Sequence, residues 1–110
     1  MVDPTHESFS ELLTGALAAG IEVQVDVHLH NAPAWSVVLA NTGEAPITAL
    51  AYQTSPHGTL FAPRTSITDG VPLAPGATMS IDGREEPVKI LRLFLTAAVA
   101  SAYAVEAGGR

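Results

Sequence analysis

Ile21-Glu22-Val23-Gln24-Val25-Asp26-Val27-His28-Leu29-His30 decides the fold class of this chain. Ile21, Val23, Val25, Val27 and Leu29 fill every odd position, and Glu22, Gln24, Asp26, His28 and His30 every even one. Successive strand side chains point to opposite faces, so the stretch reads as a strand with one buried and one wet face. A helical winding would scatter both sets around its axis.

Working toward the C-terminus, residues 35–40 are apolar on both faces, as a central strand is. Asn41-Thr42-Gly43 then turns the chain into residues 47–54. Ser55-Pro56-His57-Gly58 has Pro and Gly where a β-turn takes them. Short strands are expected at 59–62 and 65–68, before Asp69-Gly70. Ala74-Pro75-Gly76 fits a type II turn, with Pro fixing φ and Gly accepting a positive one. Ala77, Met79 and Ile81 alternate with Thr78, Ser80 and Asp82, and Asp82-Gly83 ends that run. A strand over 88–96, a small-residue connection at 97–100 and a last strand over 101–106 complete the pattern. An Ala-rich helix over 96–107 is the competing reading of the last stretch. Seven to eight short strands at roughly ten-residue spacing predict a mainly β protein. The expected architecture is an antiparallel β-sandwich, immunoglobulin-like or jelly-roll-like.

Toward the N-terminus the pattern changes. Asp3-Pro4 is a possible N-cap, and Ser8-Phe9-Ser10-Glu11 has the form of a capping box. Phe9, Leu12, Leu13, Ala16 and Leu17 recur at helical spacing, with Gly20 as a stop. A short N-terminal α-helix is expected, forming an arm over residues 1–20 ahead of a sandwich over 21–107. Residues 108–110, Gly-Gly-Arg, are expected to fray.

Composition sets the limits on function. At 110 residues with 47% apolar content the chain is one domain by size. Its core is lean, because 18 residues are Ala and one Trp, two Tyr and three Phe make up the aromatics. With no cysteine, disulfides and thiolate metal sites are excluded. Eleven acidic against five basic residues give a net charge of −6, which repels phosphate backbones and argues against nucleic acid. The opening MVDPTHESFSE is acidic where a secretory signal is basic, and the apolar runs are too short to span a bilayer. A protein kept in the cytosol, or assembled into a larger particle there, is expected.

Three clusters are candidates for function. His28 and His30 share the wet face of the first strand, about 7 Å apart along it. They form a half-site for zinc, copper or nickel that His57 would have to complete, and an ordinary polar strand face is the simpler explanation. Asp26 and His28 lie on one face too, but no serine sits in a nucleophile elbow, and neither a P-loop nor a dinucleotide fingerprint is present. Glu85-Glu86 before Pro87 reads as a solubilising loop. No catalytic residue and no cofactor are therefore assigned, and the chain is not read as an enzyme.

The third cluster is apolar. In residues 88–95, Leu91, Leu93 and Leu95 face one way while Ile90, Arg92 and Phe94 face the other, so both sides need cover. The cover is either the helix stripe of Phe9, Leu13 and Leu17 or another subunit. Phe9, Leu13, Leu17, Ile90, Arg92 and Phe94 are the interface candidates. The loop from Gly58 to Pro75 is a second candidate contact surface.

Two stretches carry likenesses. Val37 to Ile47, with its N-x-G-x-x-P-I step, and Leu73-Ala74-Pro75-Gly76 resemble bacterial immunoglobulin-like modules, which implies a protein-binding domain. Ile67 to Gly76, Ile90 to Leu95 and Ala102-Tyr103-Ala104-Val105-Glu106 resemble small β-rich phage virion proteins, such as head decoration and adaptor components. That likeness implies a non-catalytic structural protein of the virion, a capsid decoration protein in its specific form. Such a protein would associate with itself or with capsid subunits as a homo-oligomer or part of a larger assembly, without nucleic acid or membrane.

Overall fold

The computed structural model describes residues 9–67, 71–84 and 88–109. Asp3-Pro4, Ser8, Thr68 to Gly70, Glu85-Glu86-Pro87 and Arg110, each given a role above, lie outside them. Eight strands follow one another: β1 (Phe9–Leu17), β2 (Val23–His28), β3 (Ala34–Asn41), β4 (Ala49–Ser55), β5 (Thr65–Ser66), β6 (Thr78–Arg84), β7 (Ile90–Thr96) and β8 (Ser101–Gly109). They form two four-stranded sheets, ordered β1-β8-β3-β6 and β2-β7-β4-β5, with antiparallel pairing throughout. This is the strand order of a jelly roll, two interleaved Greek keys. An immunoglobulin sandwich groups its strands differently, so that part of the expectation is corrected.

β2 forms as its alternation requires, with Val25, Val27 and the following Leu29 in the core. It is shorter than the periodic stretch, because Ile21 is exposed and His30 and Asn31 take positive φ beyond the strand's end. From the second sheet Leu50, Leu91, Leu93 and Leu95 meet Leu17, Val37, Leu39 and Val105 of the first. The Ala74-Pro75-Gly76 turn is as expected: the Ala77 amide donates to the Ala74 carbonyl at 3.0 Å, and Gly76 has φ of 79°.

The N-terminal helix is not found among the described residues; Phe9–Leu17 is the edge strand β1, paired along its length with β8. Phe9, Leu13 and Leu17 are four apart, a spacing that is even and close to one helical turn, so it suits either winding. Leu12 separates them: it belongs to the helical stripe, yet it is 63% exposed on the outer face. The inward position between Leu13 and Leu17 is Gly15, opposite Tyr103, and a Cβ there would collide with the tyrosine ring. A short amphipathic helix is marginal by itself, and nine residues of ladder pairing outweigh it.

Two further expectations change. Gly108 and Gly109 do not fray but pair with Ser10 and Phe9 on one side and with Ser36 and Trp35 on the other. The sandwich therefore runs from Phe9 to Gly109 instead of 21–107, with no separate arm within the described residues. Residues 59–62 are not a strand, and the 96–107 helix gives way to β8.

Candidate functional site

Each sequence-derived candidate has a definite place. Leu17 is a core residue, and Phe9 and Leu13 pack against the core from β1. Ile90, Arg92 and Phe94 do face outward from the second sheet, as their alternation predicts, but the chain itself covers them. The β4–β5 connection folds back across that face. Gly58 stands next to Ile90, the Arg92 guanidinium lies 3.9 Å from the Phe61 ring centre, and Arg64 lies 3.6 Å above Phe94. Stacking of a guanidinium on an aromatic face suits the ring quadrupole and hides the apolar ring.

Carboxylates complete this cover. Arg92 donates to both oxygens of Asp26, its register partner on β2, at 2.8 and 3.2 Å. Arg64 makes the same bidentate contact with Glu22 at 3.1 and 3.0 Å. The hydrogen bond to Asp26 holds the Arg92 pKa above its ordinary value, against an opposing loss of hydration and with further help from the carboxylate's charge. Asp26 is thereby committed to Arg92, not to orienting His28. The exposed Arg/Phe strand of the sequence is thus a self-closed surface.

His28 and His30 are brought together, with ring centres 6.5 Å apart, and the edge of Phe9 contacts His30 at 4.9 Å. His57 is exposed in the turn after β4 and does not join them; among the described residues no three His, Cys, Asp or Glu gather in metal-binding distance. That turn is built around Ser55, whose buried hydroxyl accepts from the Gly58 amide at 2.7 Å.

A surface of which the sequence pointed only to one part, the Gly58 to Pro75 loop with Val71, lies at one end of the sandwich. The antiparallel order brings the β1–β2, β3–β4, β5–β6 and β7–β8 connections to this end, while Phe9 and Gly109 sit at the other. Ile21 is 58%, Val71 69% and Val99 63% exposed here, flanked by exposed Ala18, Ala19, Ala98 and Ala100. Among the described residues, connections 18–22, 42–48, 71–77 and 97–100 contain no Lys, Arg or His; Glu22 and Glu44 are their acids. Glu22 is already held by Arg64.

This end is rigidly tied. The Gly20 amide donates to Ala97 at 2.8 Å, and Ile47 and Leu73 exchange backbone hydrogen bonds at 3.0 and 2.9 Å. Asn41, buried at the end of β3, donates from its amide to the carbonyls of Ala45 and Leu73 and accepts from the Gly43 amide. The Ser101 hydroxyl donates to the Ala45 carbonyl at 2.7 Å. The N-x-G-x-x-P-I step thus serves as a loop brace in this fold. The signal in the sequence was chemical: turns of this length normally carry polar residues, and Ala18-Ala19-Gly20-Ile21 and Ala97-Ala98-Val99-Ala100 carry none.

At the opposite end of the first sheet an open groove of about 420 Å³ is lined by Trp35, Ser36, Asp82, Gly83, Gly108 and Gly109, with Ala34. Trp35 is buried across Gly83, its register partner on β6. Its indole fills the space a β6 side chain would take, so the tryptophan is part of the sandwich's closure.

No protein-family model matches the chain, and no curated protein matches it. Among solved structures it is similar to the mitogen YPM from Yersinia pseudotuberculosis, at 14% identity and a TM-score of 0.55 over 93% of this chain and 86% of that one. It is also similar to chitosan-binding module 1 of the chitosanase/glucanase from Paenibacillus sp. IK-5, at 17% identity and a TM-score of 0.56 over 86% and 74% of the two chains. A looser likeness, with a TM-score of 0.48 at 8% identity, covers 98% of this chain and 35% of a chain from infectious bursal disease virus Gx strain. At such identities, what the first two comparisons show is the fold alone, a β-sandwich.

Proposed function

We propose that this chain is a non-catalytic assembly protein that seats its apolar loop end on neighbouring subunits, in the first instance further copies of itself. Its specific form is a virion component of the capsid-decoration kind. The observation that carries the reading is the exposure of Ile21, Val71 and Val99 at one end, on connections that among the described residues contain no Lys, Arg or His of their own. Apolar surface exposed at one end of a domain suits an interaction site, since the centre of a protein interface is apolar and depleted in charge. A membrane fits this end less well, because its connections lack the Lys and Arg that anionic lipids attract and the Trp and Tyr that anchor at headgroups. Jelly rolls are common among capsid domains, which supports the virion form by fold-level analogy.

Sedimentation velocity over a range of concentrations tests the proposal. The intact chain should form species larger than a monomer, and Ile21→Asp combined with Val99→Asp should remain monomeric with little change in melting, since both sites are exposed. An intact chain that sediments as a monomer at every concentration overturns it.

A further inference from the structure

We infer that His28 and His30 form a two-imidazole chelate for a late first-row divalent ion, zinc or copper, at the end of the molecule opposite the apolar loops. His28 closes β2, and His30 follows in the connection to β3, where it takes φ of 56° and Asn31 φ of 54°. That left-handed pair of residues turns the chain at the strand's end. The two rings remain neighbours, with centres 6.5 Å apart and planes inclined at 41°. Metal–nitrogen distances near 2.0 Å place two rings on one tetrahedral ion about 5 Å apart, centre to centre, and on opposite sides of a copper ion about 6.3 Å. The observed separation exceeds both, so the rings have to close on the ion as it binds. Both residues are exposed, which leaves the His28 side chain room to turn toward His30.

The surroundings decide how the site is completed. Phe9 meets the His30 ring edge-on at 4.9 Å and restrains it, which lowers the ordering cost of binding. Asp26, next along the wet face of β2, is held in both oxygens by Arg92 and is not available as a third ligand. The turn carrying His57 is fixed by the bond from the Asn31 side-chain amide to the Pro56 carbonyl at 3.0 Å, and His57 stays apart from the pair. Water therefore completes the coordination. Imidazole ligands with water suit zinc and copper, with copper the tighter of the two. Protons compete for the same ring nitrogens, so affinity falls on acidification.

Titration of the full chain with zinc chloride alone, followed by imidazole NMR signals and by a competing zinc dye, tests the site. One ion should bind, the His28 and His30 signals should move together, and the His57 signal should stay. His28→Asn and His30→Asn should each weaken binding at least tenfold, the double variant should abolish it, and His57→Asn should leave it unchanged. Exposed positions make unaltered melting the expected control. His28 and His30 signals that do not move in the intact chain, or a double variant that binds as tightly, overturn the assignment. Neither outcome depends on assembly through the loop end, so the two proposals fail separately.

Discussion

The Asn41 side chain ties two segments together: it donates to Ala45 within its own turn and to Leu73 on the β5–β6 connection, while its oxygen accepts from the Gly43 amide of that turn. The backbone of the same residue receives the Gly76 amide at 2.8 Å. A side chain this buried must have its polar atoms satisfied, and the cost of removing it falls on the partners left behind. Asn41→Ala strands two carbonyls and an amide, and should cost about 2–4 kcal/mol in urea unfolding. Asn41→Asp keeps the shape and loses both donors, so it should be no better tolerated near neutral pH. A loss below about 0.5 kcal/mol for the alanine variant, the level of an ordinary surface change, would mean that water replaces the side chain at the turn.

At the scale of elements, β1 is where packing overrides local preference. Leu17, 1% exposed at the end of β1, sits in the same core as Leu39 and Leu95. Leu17→Ala should therefore cost about 2–5 kcal/mol, the range for emptying a buried leucine site. An N-terminal segment that merely rested on the sandwich would let the same change leave the melting temperature where it was. β2 is legible from sequence because five alternating pairs leave no helical solution, and β6 to β8 are nearly so. β1 is not, since its inward residues recur every four positions and the one between Leu13 and Leu17 is a glycine beneath Tyr103. The strand carrying Ile90, Arg92 and Phe94 is legible as covered on both sides. Its cover is not legible, because Phe61 and Arg64 belong to an aperiodic connection whose return across the sheet depends on Glu22 and Phe94. The alternation puts His28 and His30 in one set of positions, but their proximity rests on the left-handed turn at His30 past the end of β2, and the loop end needs the order of the strands before its four connections can be seen as neighbours.

Taken whole, the molecule has two unlike ends. One carries Ile21, Val71 and Val99 on braced, charge-poor connections; the other carries the histidine pair, the open groove and both ends of the described chain. On the function proposed above, such a molecule associates through its loop end. Electrostatics opposes the association, because every copy brings a net charge of −6. The two contributions respond to salt in opposite ways. Screening shortens the reach of like-charge repulsion, to about 10 Å at 0.1 M ionic strength and about 3 Å at 1 M, while apolar burial is not weakened by it. Self-association through the loop end should accordingly strengthen between about 20 mM and about 500 mM salt, read as a rise in mean mass by light scattering at fixed protein concentration. Ile21→Asp should remove that rise, since it adds charge where the contact is made. An association that instead dissolves as salt is added would have to be held by ion pairs, and the apolar end would not be its seat.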